Sequence, residues 1–268
     1  MAYDTILLEK KDHIATLTLN RPERLNALND QAFHEVNAAI KDVAMDSSVR
    51  VFIITGAGRA FCASGDVKDE RQGGDRLFSE RTAYEGMEFT RGNPQLVTLG
   101  LQKLPMPTIA MVNGLAIGTG FDWVLACDIR IGCEHSKFMN AFIQMGLPDG
   151  AGGTWLAPKA LGINKALELL YTGEWLEAQE AFRLGVLNRL VTSAKLLDET
   201  MALAKKIAER APIPQRLVKD LVYRGVSESL EQHLPAAAAA VSLTMKTADH
   251  KEALEAFNAK RRPVFRGK

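Results

Sequence analysis

Two segments near the start of the chain alternate apolar and polar residues with a period of two. They cover residues 3–8 (YDTILL) and 13–19 (HIATLTL), carry β-branched residues, and are separated by Lys11 and Asp12. Because successive side chains of a strand point to opposite faces, this alternation predicts two half-buried strands that form a hairpin.

Further along the chain, apolar runs alternate with helical patterns. Short apolar runs predict strands at 51–55, 108–112 and 128–133, while helical periodicity predicts helices at 29–44 and from about Thr119. Strands that are separated by helices in this way are typical of a parallel α/β core.

The second half of the chain is mostly helical. Helices are predicted at 165–172, 176–183, 195–210, 213–225, 227–245 and 248–258, with one short strand at 186–190. The polar residues 66–95 are predicted to form a loop and an irregular helix. The shift in composition divides the chain into an α/β core at 1–200 and a helical region at 201–268.

Composition and charge narrow the class of protein. Of the 268 residues, 47% are hydrophobic and 24% are charged, and the net charge of +1 gives no electrostatic case for nucleic acid or a membrane surface. The three cysteines form no CxxC pair and the histidines are not clustered, so neither a disulfide framework nor a metal site is predicted. Residues 1–13 lack a signal-peptide pattern, and glycines and Asn113 interrupt the longest apolar stretch. We therefore expect a cytoplasmic protein without a membrane span.

A glycine-rich turn, VNGLAIGTGFD, ends the strand predicted at 108–112 and opens a helix. It fails the dinucleotide pattern GxGxxG because Trp123 stands where the third glycine must allow close packing, and no GK[ST] follows for a P-loop. What remains is a helix N-terminus with free N–H groups, which stabilises an anion or an oxyanion formed during a reaction. A second turn of small residues, AFCASGDVKD at 60–69, exposes N–H groups in the same way. Together the two turns predict a pocket with two backbone donors.

The order and spacing of seven motifs resemble the crotonase family, which comprises enoyl-CoA hydratases and isomerases. The motifs are NRPERLNAL (20–28), ITGAGRAFCASGD (54–66), PTIAMVNGLAIGTGFD (107–122), LACDIRI (125–131), MGLPDGAGGT (145–154), LELLYTGEWLEAQEAFRLGVLNRLV (167–191) and KRRPVF (260–265). The resemblance implies a crotonase-like ββα-spiral core and a C-terminal helical region used for assembly into a homotrimer or a dimer of trimers. It also implies an acyl-CoA thioester substrate, with coenzyme A as part of the substrate and no other cofactor.

By the same resemblance, the amides of Gly65 and Thr119 form an oxyanion hole around the thioester carbonyl. Removing an α-proton, or adding water to an α,β-unsaturated thioester, puts negative charge on this oxygen, and one fixed donor lowers such a barrier by about 3–4 kcal/mol. The residues implied to line the path of the coenzyme and the acyl group are Leu25, Ala27, Ala63, Asp66, Val67, Lys68 and Phe142.

Hydratases of the family use two glutamates, and this chain departs from the pattern at both positions. Asp122, three residues after Thr119, takes the place of the first, and Phe142 takes the place of the second. A carboxylate beside Phe121 and Trp123 is costly to bury without a function. We therefore predict that Asp122 is the principal acid/base; the alternative is a helix N-cap.

Asp149, in LPDGAGGT, is the candidate for a second catalytic acid. The alternative is a turn or helix-capping role after Pro148, which is common for Pro-Asp-Gly. The sequence thus predicts an enoyl-CoA hydratase/isomerase-type enzyme of fatty or aromatic acid degradation. The alternatives are an isomerase without water addition, a CoA-thioester hydrolase, a C–C lyase, or an acyl-CoA-binding protein that has lost its chemistry.

Overall fold

The computed structural model describes residues 3–67 and 81–268 of the chain. Its strands are β1 (Ile6–Lys11), β2 (Ile14–Leu19), β3 (Val51–Gly56), β4 (Ala60–Cys62), β5 (Thr108–Val112), β6 (Leu115–Ile117), β7 (Ile129–Cys133), β8 (Lys137–Met139), β9 (Leu176–Glu177) and β10 (Arg189–Val191).

The strands form two sheets, and the chain passes repeatedly from one to the other. The larger sheet has the order β1-β2-β3-β5-β7-β10, with β1 antiparallel to β2 and the later neighbours parallel. The smaller sheet has the order β4-β6-β8-β9. Strands β3, β5 and β7 of the larger sheet lead directly into β4, β6 and β8 of the smaller one. This winding confirms the predicted α/β class with a ββα-spiral core.

Helices cover the sheets and form most of the second half of the chain. They are α1 (Asp30–Met45), α2 (Ala83–Gly92), α3 (Pro94–Lys103), α4 (Thr119–Ala126), α5 (Gly153–Leu161), α6 (Ile163–Thr172), α7 (Ala178–Arg183), α8 (Ser193–Ala208), α9 (Pro212–Gly225), α10 (Leu230–Thr244) and α11 (Ala248–Asn258). No helix within residues 3–67 and 81–268 is long and apolar enough to cross a membrane.

The local patterns predicted the longer elements well. The hairpin of β1 and β2 is present, and α1 begins after Asn29, whose side chain accepts a hydrogen bond from the Ala32 N–H at 3.0 Å. The pattern did not predict β4, β6 and β8, because three residues are too few to establish a period. Helices α3 and α5 were also not predicted. Of the loop and irregular helix predicted at 66–95, residues 68–80 lie outside the described residues.

Helix α4 is unusual because every one of its eight residues is buried. It packs between α3 and α5, and the Trp123 ring meets the Phe33 ring of α1 edge to face with centroids 6.1 Å apart. A carboxylate on α4 is therefore held in the core, where its surroundings decide its charge.

The C-terminal helices differ in how they use their apolar residues. Helix α8 packs on the larger sheet through Leu196, Ala204 and Ala208, whereas α10 has no buried residue. Position 200 lies inside α8, and the division into 1–200 and 201–268 stays a prediction.

Candidate active site

The two glycine-rich turns lie against each other. Segment 63–67 pairs with segment 25–28 through a parallel bridge between Leu28 and Gly65: the Leu28 N–H donates to the Ser64 carbonyl at 2.8 Å, and the Asp66 N–H donates to the Leu28 carbonyl at 3.0 Å. The amide of Gly65 takes no part in this bridge and donates no hydrogen bond to any described residue. A parallel bridge turns this N–H away from the partner segment.

The second predicted donor, Thr119, begins helix α4 beside the first turn. Its N–H donates to the Ser64 Oγ at 3.3 Å, which links the two turns. Gly118 has a φ of 50°, and a Cβ built on it would lie 2.5 Å from Ser64 Oγ. Glycine at 118 therefore allows the turns to meet, and the structure brings Gly65 and Thr119 together around Ser64.

The residues predicted to line the coenzyme path also lie at this junction. The Ala63 N–H donates to the Leu25 carbonyl at 3.1 Å, and Leu25 itself adopts a left-handed φ of 53°. Ala27 is buried next to this contact, and Val67 is half-buried at the end of the described segment. Lys68 lies outside the described residues.

Asp66 uses its carboxylate inside the protein. Its side chain is 3% exposed, and Oδ2 lies 3.0 Å from Arg21 Nη2 and 3.8 Å from Arg24 Nε. This ion pair fastens the 63–67 turn to the segment that precedes residue 25. Whether Asp66 also contacts a substrate stays a prediction.

Asp122 is fully buried on α4. Neither of its carboxyl oxygens receives a hydrogen bond from a described residue. Burial raises the pKa of Asp122 well above its ordinary value, and the charge and hydrogen bonding of neighbouring Asp149 add to the increase. We conclude that Asp122 favours the protonated form.

The space beside Asp122 is small. A cavity of about 10 Å³ borders Asp122 and Asn140 and is otherwise mostly lined by apolar side chains, including Leu125 and Leu169. This volume has room for no more than about one water molecule. An acyl group therefore does not fit inside this cavity.

Asp149 divides its two oxygens between two tasks. Oδ1 accepts from the N–H groups of Ala151, Gly152 and Gly153 at 3.0, 3.3 and 3.2 Å. Gly152 and Gly153 are the N-cap residue and the first residue of α5, so Asp149 satisfies free N–H groups at this helix end from the preceding turn. Oδ2 accepts from the Asn140 side-chain amide at 2.5 Å. The capping role weighed from the sequence is present, and the second oxygen remains directed at Asp122.

Gly153 separates the two aspartates. A Cβ built on it would overlap both Asp149 Oδ2 and Asp122 Oδ1, so these oxygens are close neighbours and no side chain fits between them. Two adjacent carboxylates repel each other, whereas one proton on the pair removes the repulsion. Four donors surround Asp149 and none reaches Asp122, so the shared proton belongs on Asp122.

Asn140 is a site residue that the sequence did not indicate. It is 4% exposed, follows β8, and lies nine residues before Asp149. No motif marks it, because its role depends on a contact between two loops. Phe142, the residue at the second glutamate position, starts the short 3-10 helix Phe142–Met145, and its ring lies 3.5 Å from where a Gly118 Cβ would be.

Metal binding has no obvious place here. Across residues 3–67 and 81–268 no group of three or more His, Cys, Asp and Glu side chains is arranged to hold an ion. The titratable side chains of the aspartate pair lie next to the turn that begins α4, and carboxyl groups can transfer protons.

Comparisons with known proteins point to one family. A sequence profile for enoyl-CoA hydratase/isomerase matches residues 9–268. The chain is 34% identical over 266 residues to the crotonyl-CoA hydratase of Syntrophomonas wolfei, with 99% of each covered, and 35% identical over 263 residues to the 1,2-epoxyphenylacetyl-CoA isomerase of Escherichia coli, with 98% of each covered. Its fold matches the enoyl-CoA hydratase of Bacillus anthracis with a TM-score of 0.91 at 30% identity, covering 99% of this chain and 100% of the other. As the motifs predicted, the chain belongs to the enoyl-CoA hydratase/isomerase family, a family of lyases and isomerases.

Proposed function

We propose that this enzyme moves a proton along the acyl chain of an enoyl-CoA thioester and thereby shifts its double bond. The observation that carries the proposal is the pairing of Asp122 and Asp149 across Gly153, one helical turn beyond the Thr119 amide. The amides of Gly65 and Thr119 hold the thioester oxygen, and coenzyme A enters as part of the substrate with no further cofactor.

Asp149 acts on the substrate in this proposal, and Asp122 acts through Asp149. Asp149 is half-buried, whereas Asp122 is 0% exposed and borders a cavity too small for an acyl group. The carboxylate of Asp149 removes a proton from the carbon next to the thioester carbonyl, and the electron pair moves onto the oxygen as an enolate. The same proton then returns to the carbon at the far end of the allylic system. This assignment differs from the sequence prediction, which gave the principal role to Asp122.

Phe142 favours isomerisation over hydration. Adding water requires a base that activates the water and an acid that protonates carbon, and both must reach the substrate. The ring of Phe142 lies at the position of the hydratases' second glutamate. Of the two aspartates, Asp149 is half-buried and Asp122 is fully buried. A single shuttling carboxylate is sufficient for a double-bond shift.

Hydration is the second candidate, and the relatives support it. The Syntrophomonas wolfei protein is a crotonyl-CoA hydratase. In this chain a protonated Asp122 could serve as the acid and Asp149 as the base. Hydration requires that Asp149 activate a water molecule and that Asp122 become accessible to the substrate.

One assay separates the two reactions. The full chain is incubated with 3-butenoyl-CoA and, separately, with crotonyl-CoA, and the products are measured by absorbance of the conjugated thioester and by mass. Isomerisation converts 3-butenoyl-CoA to the conjugated thioester with unchanged mass; hydration adds the mass of one water to crotonyl-CoA. Free CoA would instead indicate hydrolysis, a shortened acyl group would indicate C–C cleavage, and binding without turnover would indicate lost chemistry. Any of the last three results contradicts the proposal.

We also propose that the chain assembles as a homotrimer or a dimer of trimers. Large apolar side chains of α9 and α10 are at least half exposed, which is uncommon for a monomer of this size. They are Val218, Val222, Leu230, Leu234, Val241 and Leu243. Light scattering coupled to size-exclusion chromatography measures the assembly mass, and a monomeric mass contradicts this part of the proposal.

A further inference from the structure

Ser64 lies against the Thr119 amide, one of the two donors that the proposed function assigns to the oxyanion hole. Its Oγ lies 3.3 Å from the Thr119 amide nitrogen and accepts that N–H. Thr119 is 4% exposed, and a buried backbone N–H needs an acceptor when no substrate is present. The hydroxyl of Ser64 provides this acceptor.

The backbone at Ser64 is strained for a serine. Its φ is +72°, a region that glycine adopts freely and that other residues rarely adopt. Glycine would fit this turn with less strain but has no hydroxyl, and alanine would keep the strain without the acceptor. The contact with Thr119 is the feature that distinguishes serine from both.

Glycine at position 118 leaves space for the Ser64 side chain. A Cβ on Gly118 would lie 2.5 Å from Ser64 Oγ and 3.5 Å from the Phe142 ring. Ser64 itself is half-buried, with its hydroxyl next to the start of α4.

We propose that the Ser64 hydroxyl is a resident acceptor in the oxyanion hole, which the thioester carbonyl oxygen displaces from the Thr119 N–H when substrate binds. The inference rests on the proposed function, since it assigns the Thr119 amide to that oxygen. Ser64 is a positioning residue in this role, because it acts through the amide.

The exchange affects binding and catalysis differently. On substrate binding one neutral acceptor replaces another, so the hydrogen bond contributes little net affinity. In the enolate the incoming oxygen carries negative charge and binds the same N–H more strongly. Displacing the hydroxyl costs the same for the bound substrate and for the enolate, so its presence raises KM without lowering kcat.

The test uses two variants and two unreactive ligands. Ser64→Ala removes the hydroxyl and keeps a side chain at positive φ; Ser64→Gly removes the hydroxyl and the strain together. Dissociation constants are measured by calorimetry for butyryl-CoA and for S-butyl-CoA, a thioether that lacks the carbonyl oxygen, and thermal unfolding verifies that each variant is folded.

We expect butyryl-CoA to bind about two- to tenfold more tightly to both variants, the range that one neutral hydrogen bond represents. The affinity for S-butyl-CoA stays unchanged, KM of the turned-over thioester falls by a similar factor, and kcat stays within about twofold. A fall in kcat or weaker binding of butyryl-CoA would identify Ser64 as a third donor and overturn the inference. A change in Ser64→Gly alone would assign the effect to backbone strain and overturn it as well.

The wild-type protein separates this inference from the proposed function. If wild type binds butyryl-CoA more tightly than S-butyl-CoA and the two variants do not alter that preference, the oxyanion hole stands and only the role of Ser64 falls. If neither wild type nor the two variants distinguish the two ligands, the carbonyl does not reach the amides and both proposals fall.

Discussion

Asp122 and Asp149 face each other across the backbone of Gly153, with Asp122 Oδ1 and Asp149 Oδ2 as the nearest oxygens. One carboxyl is fully buried without a donor, and the other accepts four hydrogen bonds. The two residues are chemically identical, but their surroundings give the negative charge far more hydrogen-bond donors at Asp149 than at Asp122. This asymmetry leads to four predictions.

Replacing Asp149 by Asn should remove the chemistry and keep the fold. The amide oxygen of Asn caps a helix about as well as a carboxylate, so the free energy of unfolding should change by less than about 1 kcal/mol. Loss of the general base should lower kcat by about 10²- to 10⁴-fold in the isomerase assay. Asp149→Ala is the matched control, because it loses the cap as well and should also be less stable. Full activity of Asp149→Asn would leave the residue with its capping role alone.

Replacing Asp122 by Asn should change how stability depends on pH. Folding raises the pKa of Asp122. Its contribution to the free energy of unfolding is therefore fully present at pH values below the pKa of an aspartate in the unfolded chain, about 4. That contribution is lost as the pH rises from about 4 toward the raised folded pKa. Asp122→Asn has no proton to lose, so its stability relative to wild type should increase across this range.

Urea unfolding between pH 4 and 8 measures the effect. Asp198→Asn, on the exposed face of α8, is the control and should leave the pH dependence of wild type unaltered. Parallel curves for Asp122→Asn and wild type would mean that Asp122 ionises in the folded protein as readily as in the unfolded chain.

Adding a methyl group at Gly153 should disrupt the pair directly. The Cβ of Gly153→Ala would overlap a carboxyl oxygen of each aspartate, and overpacking of this kind costs about 1–3 kcal/mol. Activity should fall with stability, measured by the isomerase assay and thermal unfolding. Gly86→Ala on α2 is the control: a Cβ there has no atom within 4 Å, and alanine in a helix should be neutral or stabilising. Equal behaviour of the two variants would contradict the arrangement described here.

Removing the amide of Asn140 should slow the reaction. Asn140→Ala deprives Asp149 Oδ2 of the amide that holds it in place, so kcat should fall by up to about 10²-fold while KM changes little. Asn93→Ala is the control, since the Asn93 amide donates to the Phe89 carbonyl at 3.1 Å. It should lower stability without lowering kcat; a fall in kcat of equal size in both variants would assign Asn140 a structural role only.

The sequence was informative where a residue's role depends on its near neighbours. The hairpin and α1 follow from their periodicity, and the start of α4 follows from the glycine-rich turn before it. The resemblance to the family singled out Gly65 and Thr119 within the two turns. Asn140 and Ser64 carried no such signal, because each acts through a contact with a distant segment. The strands of the smaller sheet are three residues or fewer and take their conformation from their partners.

Asp149 shows why a choice between two roles was not available from the sequence. The alternatives were a catalytic acid and a helix cap, and the structure gives the capping contacts to Oδ1 while Oδ2 lies beside Asp122. A side chain with two equivalent oxygens can serve two neighbours at once, and only their positions in space reveal it.

The division of labour within Asp149 also bears on how such a site decays during evolution. A protein selected only for its fold or for binding an acyl-CoA would lose little by drifting from Asp to Asn at 149, because the amide oxygen caps α5 as well. An apolar residue could likewise replace Asp122, because an apolar side chain packs in the buried surroundings of α4 without the cost of burying a carboxyl group. The fold therefore requires neither carboxyl group, and what distinguishes the two aspartates from such substitutes is the charge that they can carry.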